Sequence, residues 1–130
     1  MACLDTSFII DFLNKGSGRE TLEELENRDE EINVPSPVIT ELIKGIGSKH
    51  ASKSEEKKIN EFIDSLTALT LDRESAKTAG EIEVDLSKRG EKIGLTDVLI
   101  ASIAIKNNEK LITKNEKHFS KINGLEVKPI

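Results

Sequence analysis

Apolar positions in this chain fall into short blocks separated by charged, helix-forming stretches. Ala2-Cys3-Leu4 reads as a buried strand. Phe8-Ile9-Ile10 with Phe12-Leu13 predicts a helix ending near Gly16 and Gly18. Arg19–Arg28 carries Leu22 and Leu25 at helical spacing among acids, a second helix. Ile32-Asn33-Val34 is a second strand, stopped by Pro35-Ser36-Pro37. Ser36 is expected to cap the next helix, with Pro37 in its first turn and its end near Gly45 and Gly47. A lysine-rich segment from Lys49 to Lys58 leads into a helix with Ile59, Phe62, Ile63 and Leu66 on one face. Leu69-Thr70-Leu71 predicts a third strand, and Asp72 caps a long helix, Arg73–Arg89, closed by Gly90. Val98 to Ile105 is apolar almost throughout, a buried helix with Thr96 as its expected cap. Leu111-Ile112-Thr113 and Leu125-Glu126-Val127 are the last two strands, separated by a short turn or helix at Glu116–Phe119. Strands alternating with helices predict a five-stranded parallel sheet in a three-layer α/β/α sandwich.

Three acids break this pattern. Asp5 follows the first buried strand, Glu41 lies within Val38-Ile39-Thr40-Glu41-Leu42-Ile43, and Asp97 opens the most apolar helix. An ionised carboxylate at the edge of a core is costly unless something pairs with it or coordinates it. In a parallel sheet the ligand crevice lies outside the carboxyl ends of the strands, where helix N-termini also point. Asp5, Glu41 and Asp97 can therefore meet there. Two carboxylates ~4 Å apart repel by roughly 4 kcal/mol at an effective dielectric near 20, so a trio takes up protons or binds a cation. Oxygen-only ligands favour Mg²⁺ or Mn²⁺ over zinc or copper. Such a site suits phosphate-ester hydrolysis by a metal-activated water. Each acid also has a plainer use: Asp5 as a helix cap, Glu41 as a partner of Lys44, and Asp97 as a helix-dipole residue worth ~0.3–1 kcal/mol.

At 130 residues the chain fits one domain spanning 1–130, long enough to bury roughly two-thirds of its unfolded surface. The balance of 36% hydrophobic and 33% charged residues excludes a disordered or membrane-spanning chain. A single cysteine, Cys3, suits a reducing cytoplasm, as does the absence of a secretory leader. The net charge of −5 argues against a strongly basic nucleic-acid binder, though not against a nuclease whose acids hold metal. Four phenylalanines are the only aromatics, and all have apolar neighbours, so a base-stacking platform is poorly supported. Gly45-Ile46-Gly47 lacks a preceding strand and phosphate-loop lysine spacing, so it is a helix stop. The Lys49–Lys58 run reads as a solvated face, with a phosphate-contacting arm as its functional alternative. His50 and His118 lie far apart without zinc-type partners, and His118 is placed as an edge residue near Phe119.

Leu4-Asp5-Thr6-Ser7, Thr40-Glu41-Leu42, Gly94 through Ser102 and Leu111 through Phe119, followed by Gly124-Leu125-Glu126-Val127, resemble in order and spacing the PIN-domain family. The resemblance is to its stand-alone VapC-type toxins in particular, and it spans essentially the whole chain. It implies an endoribonuclease dependent on Mg²⁺ or Mn²⁺, with Asp5, Glu41 and Asp97 as metal-binding acids. Thr6 and Thr113 fall where the family favours small hydroxyls and take supporting roles. Asn115 stands where the family often has a further acid; its amide can orient water but supplies no charge. The resemblance also implies an RNA substrate, a small antitoxin partner and a homodimer. The apolar first helix offers a partner groove, although core packing explains it equally well.

Two competing functions follow. A non-catalytic PIN-like module binding RNA or protein would accommodate Asn115. A phosphoacceptor domain needs adjacent acids after the first strand or a second Asp two residues on, and Thr6 and Ser7 occupy those places.

Overall fold

A computed structural model describes residues 1–48 and 50–130. Its elements in chain order are β1 (Ala2–Leu4), α1 (Thr6–Lys15), α2 (Arg19–Asn27), β2 (Ile32–Pro35), α3 (Ser36–Ser48), α4 (Lys53–Asp64), β3 (Thr67–Leu69), α5 (Arg73–Lys88), α6 (Leu95–Lys106), β4 (Lys110–Thr113), α7 (Glu116–Phe119) and β5 (Val127–Pro129). The five strands form one parallel sheet in the order β3-β2-β1-β4-β5, flanked by the helices in the expected α/β/α arrangement. No helix among the described residues is long and apolar enough to cross a membrane.

The strand order explains where a site can form. The chain leaves β1 toward β2 on one side, whereas β4 occupies the other side and leads on to β5. Connections that diverge from adjacent strands leave a crevice at their carboxyl ends. Here that crevice lies beyond Leu4 of β1 and Thr113 of β4.

Burial follows the apolar blocks. Every residue of β1 is fully buried, as are Val34, Leu111 and Ile112 on its neighbours. Parallel strands covered on both faces need such uniformly apolar side chains. In α6, Val98, Ile100, Ala101, Ser102, Ile103 and Ala104 are all buried, because the helix packs on α5, α3, β2 and β4 at once. A helix apolar all round has no solvent face to keep polar. Phe8, Phe12 and Phe62 stack through the α1–α4 contact, at 6.2 and 5.5 Å between ring centroids. Core packing therefore accounts for Phe8 and Ile9, which are fully buried, whereas Ile10 and Leu13 are half-buried and line an apolar groove.

Several sequence expectations need adjustment. The third strand is Thr67–Leu69, two residues before Leu69–Leu71, and pairs Leu69 with Pro35. The fifth is Val127–Pro129, two residues after Leu125–Val127, with Pro129 opposite Thr113. Both are edge strands, where half-exposed residues weaken the apolar signal and proline is tolerated. Thr96 does not cap α6: the helix starts at Leu95 after Gly94, with no side-chain cap. Ser36 is itself helical, so β2 passes directly into α3, which continues through Gly45 and Gly47 to Ser48. Asp72 caps α5 as expected, accepting from the Ser75 amide at 2.8 Å in a reciprocal capping box. Of the lysine-rich run, Lys49 lies outside the described residues. The remainder is exposed on α4 and its approach, where Lys58 donates to the Leu13 carbonyl.

Candidate active site

Asp5 stands at the end of β1 and is 4% exposed. Its Oδ1 accepts from the Phe8 amide at 2.9 Å, so it does cap α1. The cap is only part of its surroundings. Ser7 Oγ donates to both carboxylate oxygens, at 2.9 and 3.1 Å. Thr113, fully buried at the end of β4, donates to Oδ2 from across the switch point. Burial pushes the Asp5 carboxyl above its usual range; the Thr113, Phe8 and Ser7 donors oppose that rise, and the Asp97 charge adds to it.

Glu41 lies on α3, in the second turn after β2. Thr6, not Lys44, holds it: Thr6 Oγ1 donates to Glu41 Oε1 at 2.5 Å. Asp97, in the first turn of α6, is partly exposed, and its Oδ2 is 2.8 Å from His118 Nε2. Asp5, Glu41, Asp97, Thr6, Ser7 and Asn115 line one cavity of about 260 Å³, with Ile10, Ile100 and Phe119 as its apolar wall. The structure thus brings the three acids to one place from three separate segments.

The lining includes no lysine or arginine among the described residues. Lys114, beside the rim, is turned to Asp11 of α1 instead. Three carboxylates without a cationic side chain are a poor resting arrangement in a half-buried cavity, and a hard divalent cation fits their all-oxygen chemistry. The acids surround the cavity rather than closing on one point. Among the described residues, no three carboxylate, imidazole or thiol groups gather tightly enough to hold an ion as they stand.

The supporting residues divide. Thr6 donates to Glu41 and Thr113 to Asp5. Thr113 Oγ1 also accepts from the Asn115 amide at 2.9 Å, which fixes the chain at the start of α7. Asn115 lines the cavity but does not cap α7 with its side chain. His118 is the residue that sequence reasoning placed elsewhere. It does lie edge-on to Phe119, at 5.5 Å between centroids, yet it also faces Asp97. No local pattern along the chain pointed to this contact, which spans 21 positions. Cys3 keeps its core role: it is fully buried, and burial pushes its thiol far up.

A family model described as "PIN domain" matches residues 2–125. The chain is 32% identical to Ribonuclease VapC2 of Rickettsia felis over 94% of its length and 92% of that protein. It is 36% identical to Ribonuclease VapC1 of Methanocaldococcus jannaschii, over 92% of this chain and 79% of that one. The fold superposes on the crystal structure of VapBC2 from Rickettsia felis bound to a DNA fragment from the promoter with a TM-score of 0.89 and 30% identity, covering 99% of this chain and 98% of that one. With family match, relatives and fold in agreement over nearly every residue, the chain belongs to the PIN-domain family and, within it, to the VapC ribonucleases.

Proposed function

We propose that this chain is a divalent-metal-dependent endoribonuclease, the toxin of a toxin–antitoxin pair, acting through Asp5, Glu41 and Asp97. One observation carries the assignment of residues: three acids, from the end of β1, from α3 and from α6, line a single cavity at the carboxyl end of the sheet, with no lysine or arginine among the described residues of its lining. VapC nucleases of the PIN family generally depend on a divalent metal, and this all-oxygen donor set suits Mg²⁺ or Mn²⁺.

When bound, such an ion supplies the charge that makes a water nucleophilic near neutral pH and offsets charge on the phosphate. The protein's own contribution is placement. Thr113 and the Phe8 amide hold Asp5 rigidly, whereas Glu41 and Asp97 are partly exposed and face the same space from helices. Preorganised acids of this kind pay their mutual repulsion at folding rather than at the moment of reaction. Ile10, Ile100 and Phe119 supply the apolar part of the lining. The substrate class is RNA, and the partner a small antitoxin able to cover the acidic cavity.

The test is the Asp97→Asn substitution. It abolishes Mg²⁺-dependent cleavage of single-stranded RNA while the circular dichroism spectrum stays native. Undiminished cleavage by this variant, or by the wild type in excess chelator, contradicts the proposal. RNA affinity without cleavage under any divalent ion supports a binding module instead.

A further inference from the structure

The three acids share a pattern of support. A donor from a different element holds each one: Thr113 of β4 holds Asp5, Thr6 of α1 holds Glu41, and His118 of α7 faces Asp97. The first two donors are hydroxyls at the positions the family favours. The third is an imidazole on a helix of four residues, 21 positions along the chain from its partner.

We propose that His118 is a positioning residue for Asp97, engaging Oδ2 so that the other carboxylate oxygen remains available to a divalent cation. This inference rests on the acid-site reading given above. A carboxylate that holds a cation can only accept from the ring, so the proposed role requires Nε2 to be the donor. The ring is braced by edge-on contact with Phe119, which is 2% exposed and anchored in the core. Among the described residues, His118 is the one side chain hydrogen-bonded to the Asp97 carboxylate. Asp97 lies in the first turn of α6, whose cap residue, Gly94, has no side chain to bond that turn. Oriented carboxylates bind ions more tightly than mobile ones, and removing such an outer partner typically weakens metal affinity about 10- to 100-fold. Asn115 contributes no charge to the cavity, which places more of the burden on the acids that remain.

The full chain is titrated with Mn²⁺ at pH 8 by calorimetry, as wild type, His118→Leu, His118→Gln and Asp97→Asn. Glutamine can present an amide donor near the position of Nε2, whereas leucine keeps bulk and loses the donor. The expected result is Mn²⁺ affinity about tenfold weaker for His118→Leu, largely restored in His118→Gln, and lost in Asp97→Asn. RNA affinity measured in chelator is unchanged in both His118 variants. Wild-type Mn²⁺ affinity in a folded His118→Leu protein, with Asp97→Asn inactive in binding, overturns the positioning role alone. Wild-type affinity in Asp97→Asn overturns the acid-site reading and this inference together. Should His118→Leu not fold, ¹⁵N NMR of the wild-type imidazole decides: a neutral ring protonated at Nδ1 instead of Nε2 refutes the hydrogen bond.

Discussion

At the amino ends of the strands, opposite the acidic cavity, Asn33 of β2 and Glu109 meet across β1. Both are buried, 1% and 4% exposed, and Asn33 Nδ2 donates to Glu109 Oε2 at 2.7 Å. Asn33 Oδ1 and Glu109 Oε1 are left as two buried acceptors without a donor. A proton on Glu109 supplies the donor that is lacking, and burial does push this carboxyl above its ordinary value of 4.5 against the Asn33 bond and the Met1 amino group that lower it. The folded state therefore retains the proton at a pH where the unfolded chain has released it. Stability is full below the unfolded value and falls as pH rises through the folded one, levelling off above it. The perturbation is Glu109→Gln, whose amide carries both an acceptor and a permanent donor. An unsatisfied buried acceptor costs about 1–3 kcal/mol. Glu109→Gln should thus match wild type near pH 4.5 and exceed it by about 1–3 kcal/mol at pH 8. For a chain of this size that is roughly 3–5 °C in melting temperature per kcal/mol. Urea unfolding of both proteins across that pH range measures the difference. A gap between the two that stays constant with pH, or a variant weaker than wild type at pH 8, refutes the reasoning.

Thr113→Val keeps the shape of a fully buried side chain but removes the donor to Asp5 and the acceptor for the Asn115 amide. It should cost about 1.5–3 kcal/mol in urea unfolding and drive the Asp5 carboxyl still higher, seen as a raised carboxyl pKa by ¹³C NMR. Gly18 has φ +86°, and a Cβ there would sit 2.5 Å from the buried Phe8 ring. Gly18→Ala should therefore lose about 2–4 kcal/mol, combining left-handed backbone strain with overpacking. Gly16→Ala, at φ +72° with nothing within 4 Å, should lose only about 1–2 kcal/mol by thermal melting.

The legibility of this fold followed burial. β1, β2 and β4 lie at the centre of the sheet, and their short, mostly apolar runs announced them. β3 and β5 sit at its edges, and each was misplaced by two residues because exposed positions such as Thr67 and Ala68, and the half-buried Lys128, give the strand no apolar pattern. Asp5, Glu41 and Asp97 stood out as charges in apolar surroundings, and that contrast is visible along a chain. His118 had no such contrast. Its relation to Asp97 depends on how a four-residue helix is set down after β4, a tertiary detail that no local pattern encodes. The Asn33–Glu109 pair escaped for the same reason: Glu109 looks like any polar residue in a turn until the sheet brings Asn33 opposite it.

The acidic cavity draws on nearly the whole length of the polypeptide. Thr113 reaches Asp5 across 108 positions, and His118 reaches Asp97 from the last short helix. A chain growing on the ribosome has made Asp5, Glu41 and Asp97 before it has made the partners that engage the first and last of them. Until β4 has paired with β1, Asp5 lacks its cross-sheet donor and its strand lacks a neighbour on that side. Order of synthesis thus delays the finished cavity until β4 and α7 have been made, and a nascent chain stalled short of Thr113 carries the acids without the architecture that arms them.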